Sequence, residues 1–363
     1  MNRIWRTMQV LTTLAVLAGV SACATLDPYT PPIKDADGNV IPRSINSIET
    51  VMLGGVAQTI TIRGVDRTKP VLLHLHGGPG LPSSPWATWN NYYADLESNF
   101  VLVHWDQRGA GKSYSQNLTA DDMHVMNFVS DTLQLTDLLR ERFKQDKIFL
   151  WGHSWGSGLG FETLTVNSEP YHAFFASAVR PDWNTSQILG YERVLQLARQ
   201  EADTKAVKAL TAIRPFDPNN REHLDVRGQI QSQYHVGNFH TEGLEQEWLD
   251  YAIKGGSPEY PRSTVRNTMA GIAFSRETIG LEIIKSGYDH VLDFPVSTIP
   301  VFFFAGRYDC ETPGELAEDY FERLEAPAKS FTWFENSAHN MQYDEPEKFN
   351  QEIIRIAQEV LNP

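Results

Sequence analysis

Short apolar runs alternate with longer mixed stretches along most of this chain, and each run has the length of a buried β-strand. Between two of these runs, residues 127–144 repeat apolar side chains at helical spacing, as Phe128 and Leu135 illustrate. Such alternation predicts a mostly parallel sheet with crossover helices on both faces. The predicted strands are residues 71–76, 100–105, 147–151, 173–179, 299–305 and 331–334.

The alternation stops after residue 180 and resumes near residue 296, which divides the predicted core into residues 48–180 and 296–363. The intervening residues 181–295 are mostly polar with helical spacing, and they predict a helical lid inserted into the sheet. We expect lid helices over residues 191–201, 205–213 and 242–253, and a final amphipathic helix over residues 346–361.

The sheet is preceded by a predicted hairpin, in which residues 48–53 and 56–62 flank the turn Gly54-Gly55. Residues 23–47 are predicted to be a tether, because the segment is rich in proline.

The first 22 residues have the pattern of a signal peptide, with Arg3 and Arg6 followed by an apolar stretch too short to span a bilayer. Residues 20–23 resemble a bacterial lipobox, which predicts lipidation of Cys23. The resulting expectation is an exported lipoprotein held at a membrane by its acyl anchor alone, on the periplasmic face of the outer membrane in a Gram-negative cell. An ordinary signal peptidase site and an uncleaved helix are the alternatives.

Composition excludes several classes of function. The net charge of −14 argues against nucleic-acid binding. No zinc-binding motif is present, and His74 and His76 alternate as strand geometry dictates, so we expect no metal and no cofactor. With Cys23 lipidated, Cys310 has no disulfide partner, and we interpret it as a small buried residue.

A candidate nucleophile lies in Gly152-His153-Ser154-Trp155-Gly156, which matches G-x-S-x-G after a predicted strand and before a predicted helix. This is the context of a nucleophile elbow, in which Ser154 would occupy a strained turn. Its flanking glycines are expected because the turn leaves no room for a Cβ.

An acid and a base follow in the order that such a serine requires. Asp309 comes just after the strand at 299–305, and His339 lies in the loop after the strand at 331–334. Both would therefore lie beyond the carboxyl ends of parallel strands, where ligands bind in open sheets. We predict that Ser154, Asp309 and His339 form a catalytic triad.

A glycine-rich turn, His76-Gly77-Gly78-Pro79-Gly80, follows the strand at 71–76 and predicts an oxyanion hole. Gly78 is the expected donor from this turn, since Pro79 has no N–H. The backbone N–H of Trp155, immediately after the nucleophile, is the expected second donor.

Together with residues 106–113 and Gly306-Arg307-Tyr308-Asp309, these motifs resemble the prolyl iminopeptidase family of serine aminopeptidases. The resemblance spans about residues 71–339. It implies an α/β-hydrolase fold, the triad and oxyanion hole named above, and removal of N-terminal proline from small peptides. It also implies that residues 106–113 buttress the glycine-rich turn.

The resemblance leaves the substrate open, because residues 181–295 contain no Trp-Glu signature like the one with which family members bind the substrate amine. Glu192 is our first candidate for an amine-binding acid, ahead of Glu201, Glu245 and Glu247. An esterase or lactonase acting on small acyl substrates is the alternative enzyme, and a non-catalytic binding protein is a third hypothesis. The oligomeric state is left open.

Overall fold

A computed structural model describes residues 27–286 and 294–362 of the 363-residue chain. Its eight strands form one sheet in the order β1-β2-β4-β3-β5-β6-β7-β8. The pairings β1–β2 and β2–β4 are antiparallel, and all the others are parallel. The strands are β1 (Ile45–Leu53), β2 (Val56–Gly64), β3 (Val71–Leu75), β4 (Val101–Asp106), β5 (Ile148–His153), β6 (Tyr171–Ser177), β7 (Val301–Gly306) and β8 (Lys329–Phe334).

Helices cover both faces of this sheet and also fill the long connection between β6 and β7. The core helices are α1 (Ala94–Asn99), α2 (Val125–Phe143), α3 (Trp155–Val166), α10 (Gly314–Arg323), α11 (Met341–Asp344) and α12 (Pro346–Leu361). The connection holds α4 (Trp183–Gln200), α5 (Thr204–Ala212), α6 (Arg221–Gln233), α7 (Leu244–Ile253), α8 (Arg262–Glu277) and α9 (Ile279–Ser286).

Alternate residues of the central strands enter two different hydrophobic cores. On β3, Leu73 packs with α2 and α3 on one face, whereas Leu72 belongs to the core that α12 covers through Phe349. Burial on both faces explains why these strands are continuous apolar runs in the sequence. The predicted mostly parallel sheet with helices on both faces is confirmed.

The hairpin prediction is also confirmed, since Leu53 pairs with Val56 across a two-residue turn. Both turn residues, Gly54 and Gly55, have positive φ angles of 52° and 77°, which favour glycine.

The part of the predicted tether that the structure describes is hydrogen-bonded to the sheet. Arg63 of β2 donates hydrogen bonds to the Thr30 hydroxyl at 2.6 Å and to the Pro31 carbonyl at 2.8 Å. Asn46 binds the Thr30 carbonyl, and β1 begins at Ile45. Residues near Thr30 are therefore attached to the sheet, because they supply acceptors to a buried guanidinium.

Helices α4, α5 and α6 share a small hydrophobic core of their own, which includes Tyr191, Leu195 and Leu210. Cys310, from the loop after β7, is a free, buried thiol in this cluster, as expected for a packing residue. The structure adds helices that the sequence pattern missed, notably α6 and α8. Among the described residues, no helix is both long and apolar enough to cross a membrane.

Candidate active site

Ser154 lies on a sharp turn between β5 and α3, with φ of 55° and ψ of −119°. Its backbone N–H donates to the Ser177 carbonyl of β6 at 2.9 Å, which ties the turn to the sheet. A Cβ on Gly152 would lie 2.3 Å from the Gly156 carbonyl oxygen. A Cβ on Gly156 would lie 1.9 Å from the Leu75 carbonyl oxygen. The two glycines are therefore required by close backbone contact, as the motif predicts.

The loops after β7 and β8 bring Asp309 and His339 together. A Cβ on Gly306 would lie 2.0 Å from the Ala338 carbonyl oxygen, so the two loops touch at this glycine. Nδ1 of His339 lies 2.8 Å from Oδ2 of Asp309. With Nδ1 occupied in this way, Nε2 is the ring nitrogen left to accept a proton from a hydroxyl group.

Asp309 is held as an anion by its surroundings. Besides His339, it accepts hydrogen bonds from the backbone N–H groups of Glu311 at 2.7 Å and Thr312 at 2.9 Å, and from the Thr312 hydroxyl at 2.5 Å. Burial alone would raise the pKa of Asp309. The charge and hydrogen bond of His339, together with the hydrogen bonds from Thr312, outweigh burial and lower this pKa. The carboxylate can thus orient His339 and stabilise its protonated form.

The glycine-rich turn after β3 lies against the serine. A Cβ on Gly77 would be 3.2 Å from Cβ of Ser154, and Gly78 has a φ of 117° that favours glycine. Trp155 begins α3, where backbone N–H groups have no partner within the helix. Within the described ranges, the N–H groups of Gly78 and Trp155 donate no hydrogen bond, so both are free to bind a substrate oxygen.

Gln107 connects the two backbone segments that would form the oxyanion hole. Its Nε2 donates to the His76 carbonyl at 3.1 Å, and its Oε1 accepts from the Trp155 indole at 2.9 Å. Its backbone N–H donates to Nε2 of His76, whose Nδ1 must then carry the proton and donate to the Gly77 carbonyl at 2.8 Å. Residues 106–113 thus contact the glycine-rich turn, in keeping with the buttressing that the resemblance implies.

Two cavities meet at Ser154. Cavity A has a volume of about 180 Å³ and lies between α3 and the helices α4, α6, α8 and α9; its walls include Trp155, Trp183 and Leu224. Cavity B, of about 200 Å³, contains His339 together with Trp86 and Trp248. Ser154, Gly78 and Arg180 line both, so the serine can act on a bond that spans the two cavities.

Charged residues that the sequence analysis did not identify line these cavities. Arg180, just beyond β6, faces both, and Glu311 faces cavity B. The Glu311 carboxylate lies 2.9 Å from the Arg227 guanidinium and 3.9 Å from that of Arg180. Burial would raise the pKa of Glu311, but these two cations lower it, so the group is a carboxylate at neutral pH.

The structure places Glu192, the predicted amine-binding acid, outside both cavities. Its carboxylate is on the exposed side of α4, 3.2 Å from the Arg214 guanidinium, and it lines neither cavity. Glu245 instead accepts a hydrogen bond from Asn238 at 2.9 Å. Among the described residues that line the two cavities, Glu311 is the one carboxylate.

Two other histidines near the site, His74 and His76, make contacts that do not involve Ser154 or Asp309. His74 stacks on Trp151 and lies 3.3 Å from His104, whereas His76 is bound within the glycine-rich turn. Across residues 27–286 and 294–362, no group of three or more metal-binding side chains converges.

Comparisons relate the chain to known hydrolases. A model of the family described as Serine aminopeptidase, S33, matches residues 92–239. The chain is 29% identical over 320 residues to the "Probable aminopeptidase YbaC" of Bacillus subtilis (strain 168), covering 87% of this chain and 97% of the relative. It is 27% identical over 283 residues to the proline iminopeptidase of Heyndrickxia coagulans, covering 77% and 87%.

A solved structure gives the same picture of the fold. The crystal structure of the proline iminopeptidase of Mycobacterium smegmatis matches with a TM-score of 0.62 at 18% identity, covering 86% of this chain and 98% of that one. At this identity the likeness concerns the arrangement of strands and helices.

Proposed function

We propose a reaction for this chain, a hydrolytic enzyme that is similar to the serine aminopeptidases and has the α/β-hydrolase fold. In this proposal, Ser154, His339 and Asp309 are a catalytic triad that removes an N-terminal residue, proline above all, from small peptides. The main support is the 2.8 Å contact between His339 and Asp309, beside a serine on a strained turn that shares cavity B with His339.

The proposed mechanism follows from this geometry. Ser154 Oγ attacks the substrate carbonyl while Nε2 of His339 takes its proton, and the resulting imidazolium is stabilised by Asp309. The N–H groups of Gly78 and Trp155 bind the developing oxyanion, and each such donor typically contributes about 2.7–4 kcal/mol. His339 then protonates the leaving amine, and water attacks the acyl-enzyme through the same base.

Recognition of a free N-terminal amine requires an acid, since burying an unpaired cation is costly. Glu311 replaces Glu192 in this role, because it lines cavity B and keeps its negative charge. Arg227 holds the carboxylate in place at 2.9 Å, and the Glu311 side chain is 28% exposed, so it can contact an ammonium group as well.

We therefore expect a proline amide or anilide with a free amine to be cleaved, and its N-acetylated form to be cleaved poorly. Glu311→Gln should raise KM for the free-amine substrate by about 10- to 100-fold, the range expected for losing a hydrogen bond to a charged group. Steady-state kinetics of both substrates measure this.

Glu192→Gln is the matched control, since that carboxylate is exposed and lines neither cavity. It should leave KM unchanged. Equal cleavage of the acetylated and free substrates would exclude amine recognition.

An esterase or lactonase is the second candidate, and the walls of cavity A favour it. Trp183, Leu224 and Ile284 make this cavity largely apolar, which suits an acyl chain. Activity confined to small acyl esters in the same assays would establish this alternative.

The anchor at Cys23 is a separate proposal, supported by the lipobox-like residues 20–23. Cys23 lies outside the described residues. We expect the mature protein to be recovered from membranes with an acylated N-terminal Cys23, and Cys23→Ser to move it to the soluble fraction. Cell fractionation with mass spectrometry of the N-terminus tests this, and an unmodified N-terminus in membrane-free extract would contradict it.

A further inference from the structure

Cavity A combines apolar walls with two cations. The guanidinium-bearing residues are Arg180, beside Ser154, and Arg276 on α8. No acidic residue of the described chain lines this cavity. A cavity of this composition repels an ammonium group and attracts an anion.

Arg180 has hydrogen-bonding capacity that the fold does not use. Its Nε is buried and has no partner among the described residues. Its guanidinium makes two long contacts, both to Glu311, at 3.5 Å to the carbonyl oxygen and 3.9 Å to the carboxylate. It also lies over the Trp183 ring at 4.8 Å, which fixes its orientation at the cavity wall.

A purely structural role for Arg180 explains these contacts less well. Arg227 already supplies the close ion pair to Glu311 at 2.9 Å, and it is itself fixed by Gln187 at 2.6 Å and Gln231 at 3.0 Å. Arg180 therefore adds a second, partly buried positive charge that the carboxylate does not need for its placement. An additional anion in cavity A would satisfy it.

Arg276 is available for the same anion. Its one ion pair within the described part of the chain, to Asp225, is 3.8 Å long, and both side chains are more than half exposed. Such a pair is worth little in water, so Arg276 can turn to a ligand at small cost.

We infer that cavity A binds a carboxylate of the substrate, and that the preferred substrates are therefore dipeptides with a free C-terminal carboxylate. This inference rests on the proposed aminopeptidase function. The N-terminal residue lies in cavity B, with its amine near Glu311, and the second residue extends past Ser154 into cavity A toward Arg180 and Arg276. Planar guanidinium groups suit a carboxylate because they can donate two parallel hydrogen bonds.

The size of the site agrees with a short substrate. Two cavities of about 180 and 200 Å³ together lie near the lower end of the roughly 300–1,000 Å³ typical of small-molecule pockets. The chain as a whole carries a charge of −14, which repels anions at a distance. Selection of a carboxylate must then come from cations inside the site, namely Arg180 and Arg276.

The test compares kcat/KM for a prolyl dipeptide and for the same dipeptide with an amidated C-terminus. We expect the unaltered enzyme to prefer the free carboxylate by about 10-fold or more, as for a charged hydrogen-bonded pair. Arg276→Gln and, separately, Arg180→Gln should each reduce this preference several-fold, and Arg180→Lys should retain part of it. Arg276→Gln is informative even if the buried Arg180 variants fold poorly.

Arg355→Gln is the control, because this arginine pairs with Glu352 and Glu359 on α12 and lines neither cavity. Its preference should equal that of the unaltered enzyme. Equal cleavage of the acid and the amide, or an unchanged preference in Arg276→Gln and Arg180→Gln, would overturn the carboxylate site while leaving the aminopeptidase in place. If neither peptide is cleaved, the proposed function fails and this inference fails with it.

Discussion

Ser154→Ala is expected to lower kcat by about 10,000-fold or more and to abolish covalent labelling by a fluorophosphonate probe. In the proposed mechanism, loss of the nucleophile removes the acyl-enzyme route, and the oxyanion donors and His339 cannot compensate because they act on the same intermediate. The residue already has a positive φ and is 9% exposed, so alanine should preserve the fold. Kinetics, probe labelling with mass spectrometry, and thermal unfolding measure the three effects.

The matched control is Ser98→Ala, since the exposed Ser98 hydroxyl donates to the Ala94 carbonyl of its own helix at 2.8 Å. Labelling and turnover should be unaffected. The neighbouring serines are not expected to react, since the Ser157 hydroxyl donates to the Ser154 carbonyl at 2.6 Å and that of Ser113 to the Asp106 carbonyl at 2.5 Å. Labelling that persists in Ser154→Ala, or that appears on Ser157 or Ser113, would contradict the assignment.

The sheet was predictable because its strands carry a strong local signal. β3, β5 and β7 are buried on both faces, so they appear as short apolar runs, and glycines mark the turns that follow β3 and β5. The α/β-hydrolase fold that the resemblance implies is confirmed. Helix α12, with apolar residues on one face, was predicted at its observed bounds.

Helices α6 and α8 were missed because their buried faces are not hydrophobic. The buried residues of α6 are Arg227, Ile230 and Gln231, two of them polar. Helix α8 buries Gly271 and Ser275, small residues that bring it against the Gly109 carbonyl. Patterns of apolar side chains cannot reveal helices that pack through polar or small residues.

The charged residues of the site show a similar limit. Glu192 was chosen by its position along the chain, but the buried face of α4 includes Tyr191, Val194 and Leu195, and Glu192 is on the opposite, exposed side. The sequence positions of Glu311 and Arg180 could have indicated a place near the site. Glu311 follows Asp309 by two residues, and Arg180 follows β6 at the carboxyl end of the sheet. Their mutual contact depends on tertiary structure.

A second large effect is expected from histidines buried as neutral side chains. His76, His104 and His153 are at most 6% exposed. Burial lowers the pKa of His76 to about 4, and it lowers those of His104 and His153 to about 3, with smaller contributions from the charges of Arg63 and His339 respectively. The hydrogen bonds of His76 agree, because its Nε2 accepts from Gln107 and so carries no proton.

These shifts should make the fold sensitive to acid. Below pH 6.5 the unfolded chain binds protons at these positions and the folded chain does not, so the free energy of unfolding falls as the pH is lowered. Each histidine lowers the free energy of unfolding by up to about 1.4 kcal/mol per pH unit. The three together lower it by up to about 4 kcal/mol per pH unit, down to about pH 4. Buried Glu97 and Glu259, whose pKa values are raised, act in the opposite direction and reduce this slope.

We expect urea unfolding to show a loss of several kcal/mol between pH 6.5 and pH 5, a large part of the about 5–15 kcal/mol typical of a folded domain. His104→Gln should reduce the slope by about 1.4 kcal/mol per pH unit, because it removes one of the buried titrating histidines. The control is His124→Gln, whose side chain is 58% exposed and which should leave the slope near that of the unaltered chain. Equal stability at pH 7 and pH 5 would show that the buried histidines do not govern acid unfolding.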